Sequence, residues 1–104
     1  MAFRRQRDKT FPMVGGGDAI WIILIELYLA HIERRSESIS SLCVASGAPS
    51  TTALRYIRTL TDDGLLVRAA DPGDGRRIFV ALSPEGLARM DALFDQMQSH
   101  LTLR

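Results

Sequence analysis

SGAPSTTALRYIRTLTDDG, residues 46–64, decides the fold. Gly47 ends the helix before it, because glycine enters the left-handed region without a steric penalty. Ala48-Pro49 makes a tight turn, and Pro49 or Ser50 opens the next helix, where a missing N–H and a fixed φ do no harm. From there Ala53, Ile57 and Leu60 recur at the three- and four-residue steps that gather on one helical face. This helix runs to about Asp63 before Gly64 stops it. Two helices joined by so short a turn form a helix-turn-helix.

Upstream, Ser36 to Ile39 is short and polar. Ser40 is placed to cap a helix over residues 41–46 with Leu42 and Ala45 toward the core. A first helix begins at Asp18, its N-cap, and continues to Glu33 and Arg34. Its apolar residues, among them Ile20, Trp21, Ile22, Ile23, Leu24, Ile25, Leu27, Tyr28, Leu29 and Ile32, surround the axis on nearly all sides, so something must cover both faces. Residues 1–17 combine Arg4, Arg5, Arg7 and Lys9 with Gly15-Gly16-Gly17 and read as a flexible basic arm ending in a hinge.

Downstream, residues 65–70 and 76–82 are two extended runs, the second rich in the Ile, Phe and Val that suit a strand. Asp71-Pro72-Gly73-Asp74-Gly75 between them is dense turn chemistry and makes a β-hairpin. Ser83 then caps a last helix, with Pro84 at its first position and Glu85 in its electropositive first turn. That helix reaches about Leu101. Within it Leu87, Met90, Phe94, Met97 and Leu101 form a narrow stripe that must be buried against a partner helix. The expected fold is mainly α with a small β-hairpin, a winged helix-turn-helix in the order α-α-α-β-β-α, filling residues 18–104 with terminal helices for dimerisation.

With 104 residues the chain fits one compact domain, since two halves would each be too small to bury a core. Its 46% hydrophobic and 24% charged residues exclude a disordered chain. The net charge of +1 is too small to argue nucleic-acid binding by itself, so charge distribution must carry that case. A lone cysteine, Cys43, can form no internal disulfide and offers no zinc spacing, which agrees with a reducing compartment and no structural metal. The apolar run at residues 19–32 is shorter than the ~20 residues that span a bilayer and contains Glu26 and His31. No export cleavage site follows it, so the cytoplasm is the expected location and no membrane is involved. His31 and His100 lack a nearby nucleophile or acid constellation, and Gly15-Gly16-Gly17 lacks the following Lys-Ser/Thr of a phosphate loop. Neither an enzyme nor a cofactor is expected.

The residues of the helix-turn-helix and hairpin resemble the winged-helix domain of the MarR family of bacterial transcription regulators (multiple-antibiotic-resistance regulators), over about half the chain from Ile39 to Met90. The resemblance rests on Ser50-Thr51-Thr52-Ala53-Leu54-Arg55 opening the recognition helix and on Leu60 with Gly64-Leu65-Leu66-Val67-Arg68 closing it. Asp74-Gly75-Arg76-Arg77 in the wing and Val80-Ala81-Leu82-Ser83-Pro84-Glu85-Gly86 before the last helix complete it. It implies a transcriptional regulator that binds double-stranded DNA as a homodimer. Proteins of that family pair an aspartate with the arginine two residues later, which makes Arg76 the minor-groove residue and Arg77 a phosphate partner. Family chains are longer and dimerise through helices at both ends around a ligand pocket. Here only one helix follows the wing, and the apolar first helix and the Leu87 to Leu101 stripe are the surfaces left for dimerisation.

The residues carry the same expectation independently. Ser50, Thr51, Thr52, Arg55 and Arg58 lie off the apolar face of the third helix, which is free of acid until Asp62. Arginine bonds guanine bidentately and threonine offers hydroxyl and methyl contacts, so Arg55 is the expected base reader. Leu54 and Tyr56 fall at the border of the buried face and are left out of the site. In the wing, Arg76 and Arg77 follow a glycine-containing turn, where a guanidinium can enter a narrow, electronegative minor groove, and Asp74 could hold one of them by a forked ion pair. The basic arm would supplement the attraction to phosphate. An ordinary solvated helix face and a hairpin charged for solubility are the alternatives. Trp21, Tyr28 and His31 could line a pocket for an aromatic effector, although core packing accounts for Trp21 and Tyr28 and an end-of-helix surface position for His31. Cys43 reads as a buried small hydrophobe before it reads as a redox switch. The competing function is a winged-helix module that binds another protein without reading DNA.

Overall fold

The computed structural model describes the backbone of residues 18–102 and the side chains of residues 18–98. Helix α1 (Asp18–Ile32) leads through strand β1 (Glu37–Ser38) to helices α2 (Ile39–Ser46) and α3 (Ser50–Asp62). Strands β2 (Leu66–Asp71) and β3 (Asp74–Leu82) form the hairpin, and α4 (Pro84–Thr102) ends the order. The architecture is the mainly helical winged helix-turn-helix expected from the sequence, with one strand added. The basic arm at residues 1–17 and the side chains of His100 and Leu101 lie outside the described residues.

The added strand is β1. It pairs antiparallel with β3, placing Glu37 opposite Val80 and Ser38 opposite Phe79, so β3 is the central strand of a three-stranded sheet ordered β1-β3-β2. Ser36 to Ile39 reads as a polar connection because two residues show no alternation; the strand exists through its non-local partner.

Several boundaries move for identifiable reasons. Helix α2 begins at Ile39, and its N-cap is Ser38, whose Oγ accepts the Ser41 N–H at 3.1 Å; Ser40 is an exposed helical residue. Cys43 takes the inward position expected of Ala45, because Leu42, Cys43 and Ser46 form the buried face and Ala45 is exposed. Strand β3 starts at Asp74, not Arg76, since Asp71 and Asp74 face each other across a tight turn at Pro72-Gly73. Asp71 accepts the Gly73 N–H at 2.8 Å and fixes that turn.

Helices α1 and α3 end in the same way with different residues. After α3 the Gly64 N–H bonds Thr61 O at 3.0 Å and the Leu65 N–H bonds Leu60 O at 3.0 Å, with Gly64 at φ 80°. After α1 the Arg34 N–H bonds His31 O at 3.2 Å and the Arg35 N–H bonds Ala30 O at 3.0 Å, with Arg34 at φ 57°. Both are left-handed helix stops that satisfy terminal carbonyls, and the second uses an arginine where glycine would be unstrained.

The core is built around α1. Ile23, Leu24 and Leu27 are fully buried against Leu42 of α2, Ile57 and Leu60 of α3, Leu65, Leu66 and the α4 residues Met90 and Leu93. The α4 stripe is therefore mostly intramolecular: Met90 belongs to the chain's own core and Leu87, Phe94 and Met97 pack half-buried against it. Its three- and four-residue spacing shows which face is apolar but not which body covers it. On α1, Ile22, Leu29 and Ile32 remain exposed. No helix among the described residues is long and apolar enough to cross a membrane.

Candidate nucleic-acid interface

Helix α3 buries Ala53, Ile57 and Leu60 and turns its remaining surface outward. Ser50, Thr51, Arg55 and Arg58 are exposed, and Thr52 is half-buried. Its first turn carries no acid and Pro49 supplies no side-chain cap, so the electropositive helix end is not neutralised locally. The Arg55 guanidinium carbon lies 5.7 Å from the centre of the half-buried Tyr56 ring, which leans the cation along the helix surface. Thr59 and Thr61 spend their hydroxyls on the helix itself, donating to Arg55 O at 3.0 Å and Ile57 O at 2.7 Å. That leaves the hydroxyls of Ser50, Thr51 and Thr52 at the start of the helix.

The wing tip is irregular in a useful way. Ala70 pairs with Ile78 and the next residue, Asp71, pairs with Asp74, so Gly75, Arg76 and Arg77 have no opposite residue on β2. A bulge of this kind twists the strand and re-aims its side chains, and here it carries both wing arginines. Asp74 does not form the expected forked ion pair. Its Oδ1 accepts the backbone N–H of Arg76 at 3.1 Å, a local turn bond that shapes the bulge. Arg77 lies over Phe79, its guanidinium carbon 5.4 Å from the ring centre. Among the described residues, Arg55, Arg58, Arg76 and Arg77 make no ion pair. Their charge is not neutralised by a neighbouring carboxylate within that part of the chain.

Two features lie outside the sequence-based expectation. Leu54, placed at the border of the buried face, is 45% exposed on the flank of α3 between Thr51 and Arg58. Arg35 gathers three acids: Glu33 at 2.6 Å, Glu37 at 2.6 Å and Glu26 at 3.1 Å. Glu37 is only 6% exposed, and burial, followed by the charge of Glu26, raises its carboxyl above the usual glutamate value against the opposing pull of Arg35. Glu-x-Arg-x-Glu at residues 33–37 was visible, but no periodicity tied Glu26 to it.

A cavity of about 760 Å³ opens between the end of α1, β3 and α4, with Tyr28, His31, Arg34, Phe79 and Asp91 in its walls. Tyr28 and His31 thus meet there, whereas Trp21 is buried in the core. Tyr28 donates its hydroxyl to Asp91 Oδ1 and stacks on Phe94 with ring centres 5.1 Å apart. That bond to Asp91, with partial burial, pushes its phenol up to about 12. Cys43 is a buried free thiol, packed as a small hydrophobe.

Residues 21–86 match the family model for a winged helix DNA-binding domain, well over half of the chain. The chain belongs to the winged helix DNA-binding domain family. No curated protein matches it by sequence. Among solved structures this winged-helix chain is similar to the S. aureus MepR-DNA complex, at 19% identity and a TM-score of 0.76, covering 98% of this chain and 83% of that one. It is also similar to the transcriptional regulator Tm0710 from Thermotoga maritima, at 21% identity and a TM-score of 0.77, covering 97% and 68% of the two chains. A third is the transcriptional regulator PA4135, at 17% identity and a TM-score of 0.72, covering 97% and 71%. Two of these neighbours are described as transcriptional regulators and the other is bound to DNA; at such identities the likeness establishes the shared fold alone.

Proposed function

We propose that this chain is a sequence-specific double-stranded DNA-binding transcriptional regulator of MarR-like type. Helix α3 enters the major groove with Arg55 as base reader and Ser50, Thr51, Thr52 and Arg58 on bases and phosphates. Arg76 reaches into the minor groove and Arg77 takes a phosphate, both aimed by the bulge that Asp74 shapes. Six arginines have no acidic partner among the described residues, two of them being Arg34 at the end of α1 and Arg68 on β2. The observation that carries this reading is that the other four, Arg55, Arg58, Arg76 and Arg77, stand two on the outward side of α3 and two at the wing tip. A cation held against a carboxylate has little left for phosphate; these do not have that competitor.

The protein acts in the cytoplasm as a homodimer with two-fold symmetry, the commonest arrangement of soluble oligomers. Exposed Ile22, Leu29 and Ile32 on α1 supply the apolar surface for it. The cavity at Tyr28 and His31 is the place for a small-molecule effector, and the arm at Arg4, Arg5, Arg7 and Lys9 adds phosphate contacts. Selecting bound fragments from random genomic DNA at low and at moderate salt tests the DNA reading: recovery of a recurring duplex sequence supports it, and unselective recovery or none contradicts it. Sedimentation showing only monomer at micromolar concentration contradicts the homodimer. The exposed residues of α1 favour one other reading, a winged-helix protein-protein interaction module without DNA readout, and the same selection returning no duplex supports that one.

A further inference from the structure

Leu54 is the one large apolar side chain exposed on α3, in a helix whose other outward residues are hydroxylic or charged. Isolated exposed leucines are common and need no role. This one differs in its setting. It stands one turn after Thr51 and one turn before Arg58, so it occupies the flank of the surface that faces the bases if α3 lies in a major groove. The core does not need it there, because Ala53, Ile57 and Leu60 already form the buried side of the helix. A leucine can make no hydrogen bond to a base edge, and in a polar groove it finds one apolar feature, the C5 methyl group of thymine.

We infer that Leu54 is a specificity-determining residue, packing on the C5 methyl group of a thymine close to the base read by Arg55. The inference rests on the DNA-binding reading above. It adds to the base reading of Arg55 a selection for thymine that works by burying a methyl group, not by hydrogen bonding.

The test compares a duplex recovered by selection with copies in which each thymine in turn is replaced by deoxyuridine, which removes only the methyl group. The full chain and its Leu54→Ala variant are titrated against every copy. Leu54 is exposed and alanine is the better helix former, so the variant keeps its fold, which circular dichroism checks. For the parent chain, deoxyuridine at one position in each half-site should weaken binding on the order of fourfold, the equivalent of one buried methylene. For Leu54→Ala that same replacement should make no difference. A flat deoxyuridine scan with the parent chain overturns the inference, as does a penalty of equal size in both chains. If Arg55→Ala loses affinity while the scan is flat, only the role of Leu54 fails. If the parent chain binds no duplex at all, the DNA reading fails with it.

Discussion

A Cβ placed on Gly86 would stand 2.3 Å from the carbonyl oxygen of Leu65, closer than such atoms approach in proteins. The contact joins the first turn of α4 to the start of the wing. Around it, Ser83 donates its hydroxyl to Gly64 O at 2.6 Å and its backbone N–H to Leu65 O at 2.9 Å, and its Oγ accepts the Gly86 N–H at 3.0 Å. One serine thus caps α4 and ties it to the residues that terminate α3. An exposed helical glycine gains stability on change to alanine; here the obstacle is rigid backbone. Gly86→Ala should therefore destabilise the fold by about 1 to 3 kcal/mol, read by urea denaturation. A variant as stable as the parent would show that α4 can shift away from the wing.

Arg34 gives the opposite sign. It closes α1 at φ 57° with nothing but its backbone in the stop, a conformation that costs a side-chain-bearing residue about 1 kcal/mol. Arg34→Gly should raise the denaturation midpoint, partly offset by the greater freedom of glycine in the unfolded chain. An equal or lower midpoint would mean that the Arg34 side chain contributes more than the strain removes.

Glu37 makes stability depend on pH in a defined direction. Its carboxyl is raised above the ordinary value, so between the unfolded and folded pKa the native state binds more proton. Its contribution is fully present below the unfolded pKa and is lost as pH rises through the folded one. Glu37→Gln, which cannot ionise, should therefore gain stability relative to the parent as pH rises from 4 to 7, in matched denaturation curves. A difference independent of pH would contradict the burial of a charged Glu37.

Tyr28 offers an optical check on the contact between α1 and α4. Its phenol is held up near 12 chiefly by the bond to Asp91. In a Tyr56→Phe background the remaining tyrosine should ionise near 12, and Asp91→Asn should bring that transition down. Ionisation at 10 with Asp91 intact would mean that the bond does not form in solution.

Most of the fold was legible because its punctuation is local. Gly47, Pro49, Gly64 and Ser83-Pro84 act on the backbone within a turn of where they stand, and each bounds the helix expected of it. What stayed hidden is non-local. Strand β1 exists only because β3 has an open edge beside it, and Leu93 of α4 is fully buried although the spacing of its neighbours pointed elsewhere. In the site, the identities of Arg55, Arg58, Arg76 and Arg77 were plain, but the bulge that carries the last two depends on the register of β2. The exposure of Leu54 depends on how α3 is rotated against the core, which a border position on a helical projection leaves undecided.

Arg55 and Arg77 should fail differently. Loss of a bidentate base contact in Arg55→Ala should cost about 1 to 3 kcal/mol on a selected duplex and relax base preference there. Arg77→Ala should weaken all duplexes alike and lower the salt slope by about one. Identical profiles for the two variants would contradict the division between base reading and phosphate contact.

The most direct measurement titrates a duplex recovered by selection with the parent chain and with the chain in which Arg55, Arg58, Arg76 and Arg77 are all alanine. Specific, salt-dependent binding by the parent and its loss in the fourfold variant, with folding intact, is the expected result. Undiminished affinity in the fourfold variant would contradict DNA recognition by α3 and the wing.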